Sequence, residues 1–262
     1  MKKKTSFKNQ EVVYWDQGEG KCIVLLHGYL ETSEIYQDFR RMFPPGIRLI
    51  CVDLPGHGAS GIWGTSHQMD DLAASVRAVL DAEGLEQVFL TGHSMGGYVA
   101  MAFAELFPER LLGYCLLHST CFADTEEKKI NREREISLVR CHKMKQIINV
   151  NIPKGFATDQ VERLSMEVER AKQIAHGNAE DGVVAILNGM KDRPDRTHVL
   201  QDPSLPLLLI GGMKDNYISP EVFDKLVSLA PHASVLKLEE SGHMGFIEEG
   251  ERVVNALLEM LA

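Results

Sequence analysis

The chain has 262 residues, of which 44% are hydrophobic and 25% are charged, a composition typical of a globular protein rather than a disordered one. Its formal net charge of −9 disfavours a nucleic-acid partner, because a phosphate backbone is bound by an excess of positive side chains. No apolar run approaches the ~20 residues of a membrane-spanning helix, and the sequence after Lys2–Lys4 is too polar for a secretory signal, so we expect a cytoplasmic protein without a membrane span.

The first 120 residues alternate between apolar runs of strand length and segments with helical periodicity. We expect the lysines at 2–4 to be solvated and mobile. The run at 22–27 is a continuous apolar stretch, which is typical of a strand buried on both faces. The predicted elements are an edge strand at 11–15, buried strands at 22–27, 48–53, 88–90 and 111–117, and helices at 33–43, 66–83 (capped by Gly84) and 95–107. Short connections between alternating strands and helices predict an α/β fold with a doubly wound, mostly parallel sheet.

The pattern changes between residues 121 and 200, where strand signals vanish and helices are predicted at 125–149, 159–175 and 180–191. Asp159 and Glu162 form a plausible capping pair for the second helix. The charged stretch 126–135 is interpreted as a solvated helix face rather than a binding patch. Strands at 203–212 and 234–238 and helices at 220–230 and 249–262 then resume the earlier pattern. We therefore expect a sheet core formed by residues 1–120 and 201–262, with a helical cap insertion at 121–200.

The five cysteines show no C-x-x-C or zinc-type spacing. Three of them lie in the apolar runs, and we interpret the set as reduced, mostly buried thiols. The sequence therefore predicts neither disulfides nor a bound metal.

The segment from Thr91 to Gly97 has the pattern Gly-x-Ser-x-Gly between a predicted strand and a predicted helix. Ser94 at the centre of such a sharp turn must adopt a strained backbone, which leaves its hydroxyl exposed at the carboxyl end of the strand. The amide of Met95 then lies at a helix N-terminus, where it can stabilise a developing oxyanion. This pattern predicts a serine nucleophile.

A serine nucleophile needs a histidine base and a carboxylate that orients it, in the chain order Ser, Asp or Glu, His. Asp215 and His243 meet this requirement, because each follows a predicted strand and so lies at the same sheet edge as Ser94. Six other carboxylates fit this role less well. Glu239, Glu240 and Glu248 are too close to His243 in the sequence, Asp192 and Asp195 lie in the insertion, and Asp202 precedes its strand. We expect His93 to pack inside the turn, and His27 and His57 to hydrogen-bond loop backbone.

These motifs resemble the α/β-hydrolase superfamily, specifically its serine-nucleophile members that carry a cap. The matching segments are His27-Gly28-Tyr29, Asp53-Leu-Pro-Gly-His-Gly58, Gly92-His-Ser-Met-Gly96, Gly212-Met-Lys-Asp215 and Gly242-His243. The resemblance implies that the amide of Tyr29 is a second oxyanion donor beside Met95, although this chain has Tyr29-Leu30 where one esterase branch has two glycines. It implies no cofactor.

The predicted function is a serine hydrolase that cleaves a small ester, thioester or related carbonyl compound with an apolar acyl group. The shared motifs fit carboxylesterases, enol-lactonases, carbon–carbon bond hydrolases and menaquinone-pathway synthases about equally well. The aspartate-nucleophile relatives, haloalkane dehalogenases and epoxide hydrolases, are excluded by Ser94. A non-catalytic ligand receptor on the same fold is a further alternative. The sequence does not indicate an oligomeric state.

Overall fold

The computed structural model describes residues 1–262 and contains one eight-stranded sheet in the order β1-β2-β4-β3-β5-β6-β7-β8. The first strand pairs antiparallel with the second, and the second antiparallel with the fourth, whereas all the other neighbours are parallel. The strands are β1 Lys2–Phe7, β2 Gln10–Gln17, β3 Lys21–Leu26, β4 Ile47–Val52, β5 Val88–His93, β6 Leu111–Leu117, β7 Leu207–Gly212 and β8 Ser234–Leu238. The predicted doubly wound, mostly parallel sheet is confirmed.

Helices cover both faces of this sheet. They are α1 Met69–Ala82, α2 Met95–Leu106, α3 Glu126–Arg140, α4 Met144–Lys154, α5 Ser165–His176, α6 Glu180–Lys191, α7 Thr197–Leu200, α8 Pro220–Leu229, α9 Gly245–Glu248 and α10 Gly250–Glu259. Along β3, Val24 and Leu26 pack into the core beneath α1 and α2, while Ile23 and Leu25 pack into the core on the α10 side. This alternation explains the continuous apolar run, because both faces of the strand are buried. None of the helices combines the length and apolar character that crossing a bilayer requires.

The N-terminal lysines are ordered in β1, so the prediction that they are mobile was wrong. Strand β1 forms the sheet edge, and the predicted edge strand at 11–15 lies one position inside it as part of β2. Lys3 pairs with Asp16 at 2.7 Å and with Glu83 at 2.9 Å, and Arg48 also binds Asp16. These carboxylates hold the basic strand in place.

The segment predicted as a helix at 33–43 consists of two short 3-10 helices, Ser33–Tyr36 and Phe39–Met42. Side-chain hydrogen bonds anchor this segment to strand ends: the Ser33 amide donates to Asp53 Oδ1 at 2.8 Å, and the Tyr36 hydroxyl donates to the Leu26 carbonyl at 3.0 Å. Helical propensity is overridden by these contacts. The predicted cap of α1 is confirmed, since Gly84 adopts a φ of +63°.

Between β6 and β7 the chain forms five helices, α3 to α7, and no strand, which confirms a helical insertion. The single helix predicted at 125–149 is divided into α3 and α4 at residues 141–143, where His142 adopts a φ of +56°. Helix α5 begins at Ser165, so Asp159 and Glu162 do not cap it; instead Asp159 pairs with Lys214 at 2.6 Å. All five cysteines are free, and four of them are buried.

Candidate active site

Ser94 lies in the turn between β5 and α2 with a φ of 50° and a ψ of −113°, a conformation that L-residues rarely adopt. The Ser94 amide donates to the Leu117 carbonyl at 3.0 Å, which fixes the turn to the neighbouring strand. A Cβ atom on Gly92 would lie 2.2 Å from the Gly96 carbonyl oxygen, and one on Gly96 would lie 2.3 Å from the Leu26 carbonyl oxygen. The two glycines are therefore required for the close approach of strand and helix.

Asp215 and His243 follow β7 and β8 and meet at the same sheet edge as Ser94. The Asp215 Oδ2 atom lies 2.7 Å from His243 Nδ1, while Oδ1 accepts the amides of Tyr217 at 2.7 Å and Ile218 at 3.0 Å. Burial by itself raises the pKa of the Asp215 carboxyl, but the His243 and His118 rings outweigh it and hold the pKa well below its usual range. Asp215 is consequently an ionised, fully engaged partner of the His243 ring.

The loop that carries His243 is held by backbone and carboxylate contacts. The His243 amide donates to the Gly155 carbonyl at 2.6 Å, which links the loop to the end of α4. Glu248 Oε2 accepts the amides of Gly242 at 2.9 Å and Met244 at 3.2 Å. Glu248 thus positions the loop and does not contact the His243 ring.

Ser94 and His243 line one cavity, with no hydrogen bond between the hydroxyl and the ring. Such a bond is often long or misaligned in ligand-free enzymes and tightens when substrate binds. The Met95 amide is in the first turn of α2, where helix geometry supplies no acceptor. The Tyr29 amide makes no hydrogen bond in the protein, and its ring lines the same cavity. The geometry leaves two backbone donors free near Ser94.

A buried ion pair joins the loops that carry these groups. Glu31 Oε2 accepts the Gly28 amide at 2.7 Å and lies 3.0 Å from His93 Nδ1, and His93 Nε2 donates to the His243 carbonyl at 2.9 Å. Burial alone would lower the pKa of His93, but the Glu31 carboxylate has the larger effect and the pKa of His93 is raised. Burial alone would raise the pKa of Glu31, but the charge of His93 has the larger effect and the pKa of Glu31 is lowered. His93 is therefore a charged, hydrogen-bonded group as well as a packing residue.

The other predicted loop histidines behave as expected. His27 Nε2 accepts the Leu54 amide at 2.9 Å, and His57 Nε2 accepts the Leu30 amide at 3.0 Å.

His118 is a residue of the site that the sequence analysis did not predict. Its side chain is fully buried, and its Nδ1 atom lies 3.3 Å from Asp215 Oδ2 and 3.2 Å from the Gly212 amide nitrogen. Burial lowers its pKa to about 4, so the ring is neutral. Its position directly after the predicted strand at 111–117 was the available signal.

Three ligand-type side chains at the site, His118, Asp215 and His243, have donor atoms within 4.8 Å of one another. A metal there would have to displace the 2.7 Å hydrogen bond between Asp215 Oδ2 and His243 Nδ1, because it would use the same atoms. The donor set is that of a hydrogen-bonded acid and base rather than of a metal site.

The cavity at Ser94 has a volume of about 320 Å³ and opens between the sheet edge and the helical insertion. Apolar residues from several elements form part of its wall, among them Leu30, Ile152, Met190, Ile218 and Met244. Polar residues on the inner face of α3 form another part: Lys128, Asn131, Arg132 and Glu135. The interpretation of stretch 126–135 as only a solvated face was therefore wrong, because a helix with few apolar residues does not indicate which side faces inward.

The family model that matches this chain and three proteins similar to it all bear the names of hydrolytic enzymes. A family model described as serine aminopeptidase, S33 matches residues 18–249. One similar protein is the 2-hydroxy-6-oxononadienedioate/2-hydroxy-6-oxononatrienedioate hydrolase of Paraburkholderia phymatum. The two sequences are 31% identical over an alignment of 264 positions, gaps included, and the alignment covers 95% of this chain and 90% of that protein. The pimeloyl-[acyl-carrier protein] methyl ester esterase of Yersinia enterocolitica is 29% identical, with 91% and 93% covered. A malate-bound thermophilic esterase of Thermogutta terrifontis superposes with a TM-score of 0.93 at 29% identity, with 100% and 98% covered.

Proposed function

Because the chain belongs to the α/β-hydrolase superfamily and is a hydrolase, we propose that Ser94, His243 and Asp215 are its catalytic triad. The observation that carries this proposal is the 2.7 Å hydrogen bond that His243 Nδ1 donates to Asp215 Oδ2, beside the strained Ser94 turn. An ionised carboxylate on Nδ1 keeps the other ring nitrogen, Nε2, free to accept a proton from the serine.

In the proposed reaction, Ser94 Oγ attacks the substrate carbonyl while His243 Nε2 takes its proton. The amides of Met95 and Tyr29 donate to the oxyanion that forms, and the protonated His243 then delivers its proton to the leaving group. Water, deprotonated by His243, releases the acyl group and restores the serine. Every proton is carried by His243, and the mechanism uses no cofactor.

Residues 121–200 act in this proposal as a cap, and residues 1–120 and 201–262 as the catalytic core. The insertion leaves the sheet after β6, at the edge that carries Ser94, and its helices supply cavity-lining residues before the chain crosses to the opposite edge, where β7 begins. Such a cover excludes water and selects the substrate. It contributes no triad residue.

The substrate class we propose is a small ester or thioester whose acyl chain lies along the apolar part of the cavity. Cleavage of a carbon–carbon bond beside a ketone is the second candidate, favoured by the 31% identity to the dienedioate hydrolase. The five free cysteines support a reducing, cytoplasmic location. A non-catalytic receptor on this fold would not react with a serine-directed probe, so the same experiment tests that alternative.

The test is covalent labelling with a fluorophosphonate, followed by intact-mass measurement and hydrolysis of 4-nitrophenyl butyrate. The wild type should gain one adduct per chain at Ser94. Ser94→Ala should lose the adduct and roughly 10⁴- to 10⁶-fold of turnover. Ser165→Ala, at an exposed serine of α5, is the matched control and should behave like the wild type. Undiminished labelling of Ser94→Ala would show that the nucleophile is another residue.

A further inference from the structure

The inner face of α3 brings cationic groups into the cavity that contains Ser94. Lys128, Asn131, Arg132 and Glu135 have the i, i+3, i+4, i+7 spacing of one helix face, and all four line the cavity. On the same helix Ile130 is 54% exposed and Leu138 is 38% exposed. The C-terminal half of α3 packs on the core through the buried residues Ile136 and Val139, whereas its N-terminal half turns charged and polar residues toward the cavity. These charged side chains are therefore within reach of a ligand in the cavity.

Arg132, which lines this cavity, retains one unused hydrogen-bond donor group. Its Nε and Nη2 atoms bind the Asp124 carboxylate, whereas its Nη1 atom has no partner in the protein. The same Asp124 carboxylate also accepts from Arg193 Nη1 at 2.7 Å. One buried carboxylate is thus shared between two guanidinium groups, and Arg132 is left only partly neutralised.

The remaining charged groups do not complete this neutralisation. Lys128 forms no ion pair, and Glu135 lies beyond ion-pairing distance of Arg132 while accepting from Asn151 Nδ2 at 3.1 Å. Burial raises the pKa of Glu135, and the nearby Arg132 charge opposes this shift only in part. Of the two cationic side chains of α3 that line the cavity, Lys128 has no ion-pair partner and Arg132 shares its partner, Asp124, with Arg193. A partly buried cation without a matching anion is costly, and an anionic ligand would remove that cost.

We propose that the substrate carries a carboxylate at the end remote from its reacting carbonyl, and that Arg132 Nη1 binds this carboxylate with support from Lys128. The class is the monoesters and monothioesters of short dicarboxylic acids, whose methylene chain contacts the apolar wall of the cavity. The carboxylate of such a group supplies the negative partner that Lys128 lacks and that Arg132 has only in shared form. This inference rests on the proposed function, because it requires that the carbonyl end reacts at Ser94.

The test compares two esters of similar size that differ in charge, mono-4-nitrophenyl glutarate and 4-nitrophenyl pentanoate. Wild type should prefer the glutarate ester in kcat/KM. Arg132→Met keeps the length of the side chain but removes the charge, and should lower kcat/KM for the glutarate ester by roughly 10- to 100-fold, mainly through KM. The pentanoate ester should change by less than about 3-fold, which lies within the effect of a weak contact.

The control is Arg134→Met, which removes a guanidinium from the exposed side of the same helix and should leave both esters unaffected. Arg132→Lys should retain part of the preference, because it retains the charge. A wild type that does not distinguish the esters, or an Arg132→Met variant that loses both activities equally, would overturn the proposal. Fluorophosphonate labelling separates the two levels: an unlabelled, inactive wild type contradicts the proposed function, whereas a labelled, active enzyme without charge preference contradicts only this inference.

Discussion

Glu31 and His93 connect three separate loops through one buried contact. Glu31 holds the Gly28 amide next to the proposed oxyanion donor Tyr29, and His93 holds the carbonyl of the proposed base His243. His93 itself directly precedes the nucleophile in the chain. One carboxylate–imidazolium pair therefore links the nucleophile, the oxyanion donor and the base, in addition to the contacts that hold each loop separately. Removal of either charge would leave the other buried without a partner.

Glu31→Gln should lower the free energy of unfolding by about 3 kcal/mol near pH 6, measured by urea denaturation. The folded-state pKa of His93 is raised, so its contribution is complete below about pH 6.5 and is lost as the pH rises. The folded-state pKa of Glu31 is lowered, so its contribution is present above about pH 4.5 and is lost as the pH falls. The difference from wild type should thus be largest between these limits. A difference that is constant from about pH 4 to pH 9 would contradict the ion pair.

Asp215→Asn should keep the fold but reduce turnover by about 10⁴-fold, because an asparagine cannot hold the His243 ring in the required tautomer. The measurement is kcat for 4-nitrophenyl butyrate, with circular dichroism to verify folding. Asp202→Asn, at an exposed position before β7, is the control and should be fully active. Near-normal hydrolysis by folded Asp215→Asn would require another acid, and Asp192 and Asp195 of the insertion would be tested next.

At the scale of single elements, the strand–turn–helix unit around Ser94 permits no side chain at Gly96. Gly96→Ala would place a Cβ atom 2.3 Å from the Leu26 carbonyl oxygen, and this backbone atom belongs to the central strand β3. We expect a loss of about 3 kcal/mol of stability or more, measured by thermal unfolding. Gly177→Ala is a suitable control, because its φ is −75° and the nearest atom to its new Cβ would be 3.3 Å away. Equal melting temperatures for the two variants would refute this account of the turn.

The elements that could be predicted from sequence are those whose signal is local. The strands before Ser94 and Asp215 are apolar on both faces, so their positions, and hence the common sheet edge, follow from the pattern alone. Strand β1 was missed because its three lysines resemble a solvated tail until Asp16 and Glu83 are brought beside them. The partner of His93 is 62 residues away, and nothing in either local sequence connects them. Contacts of this kind are determined by the tertiary fold.

For the whole molecule, the insertion should set substrate preference without affecting the reactivity of Ser94. Ile152 of α4 lines the cavity, whereas Val150 of the same helix is 53% exposed. Ile152→Ala should shift the preferred acyl chain of 4-nitrophenyl esters toward greater length, with relative kcat/KM values changing by about 10- to 200-fold. Val150→Ala is the matched control and should leave the acyl-chain profile unchanged. Equal profiles for both variants, or slower fluorophosphonate labelling of Ile152→Ala, would contradict the proposed role of the cap.

The insertion also affects how the chain assembles, because β6 and β7 are paired neighbours although residues 118–206 separate them. The conformational entropy lost on closing a loop grows only with the logarithm of its length. Replacing a parallel crossover of about fifteen residues by one of about ninety adds roughly 1.6 kcal/mol. Helices could thus be exchanged or lengthened here during evolution at small thermodynamic cost to the sheet. Ser94 precedes this loop, and Asp215 and His243 follow it, so the three side chains can meet only in chains that have closed it.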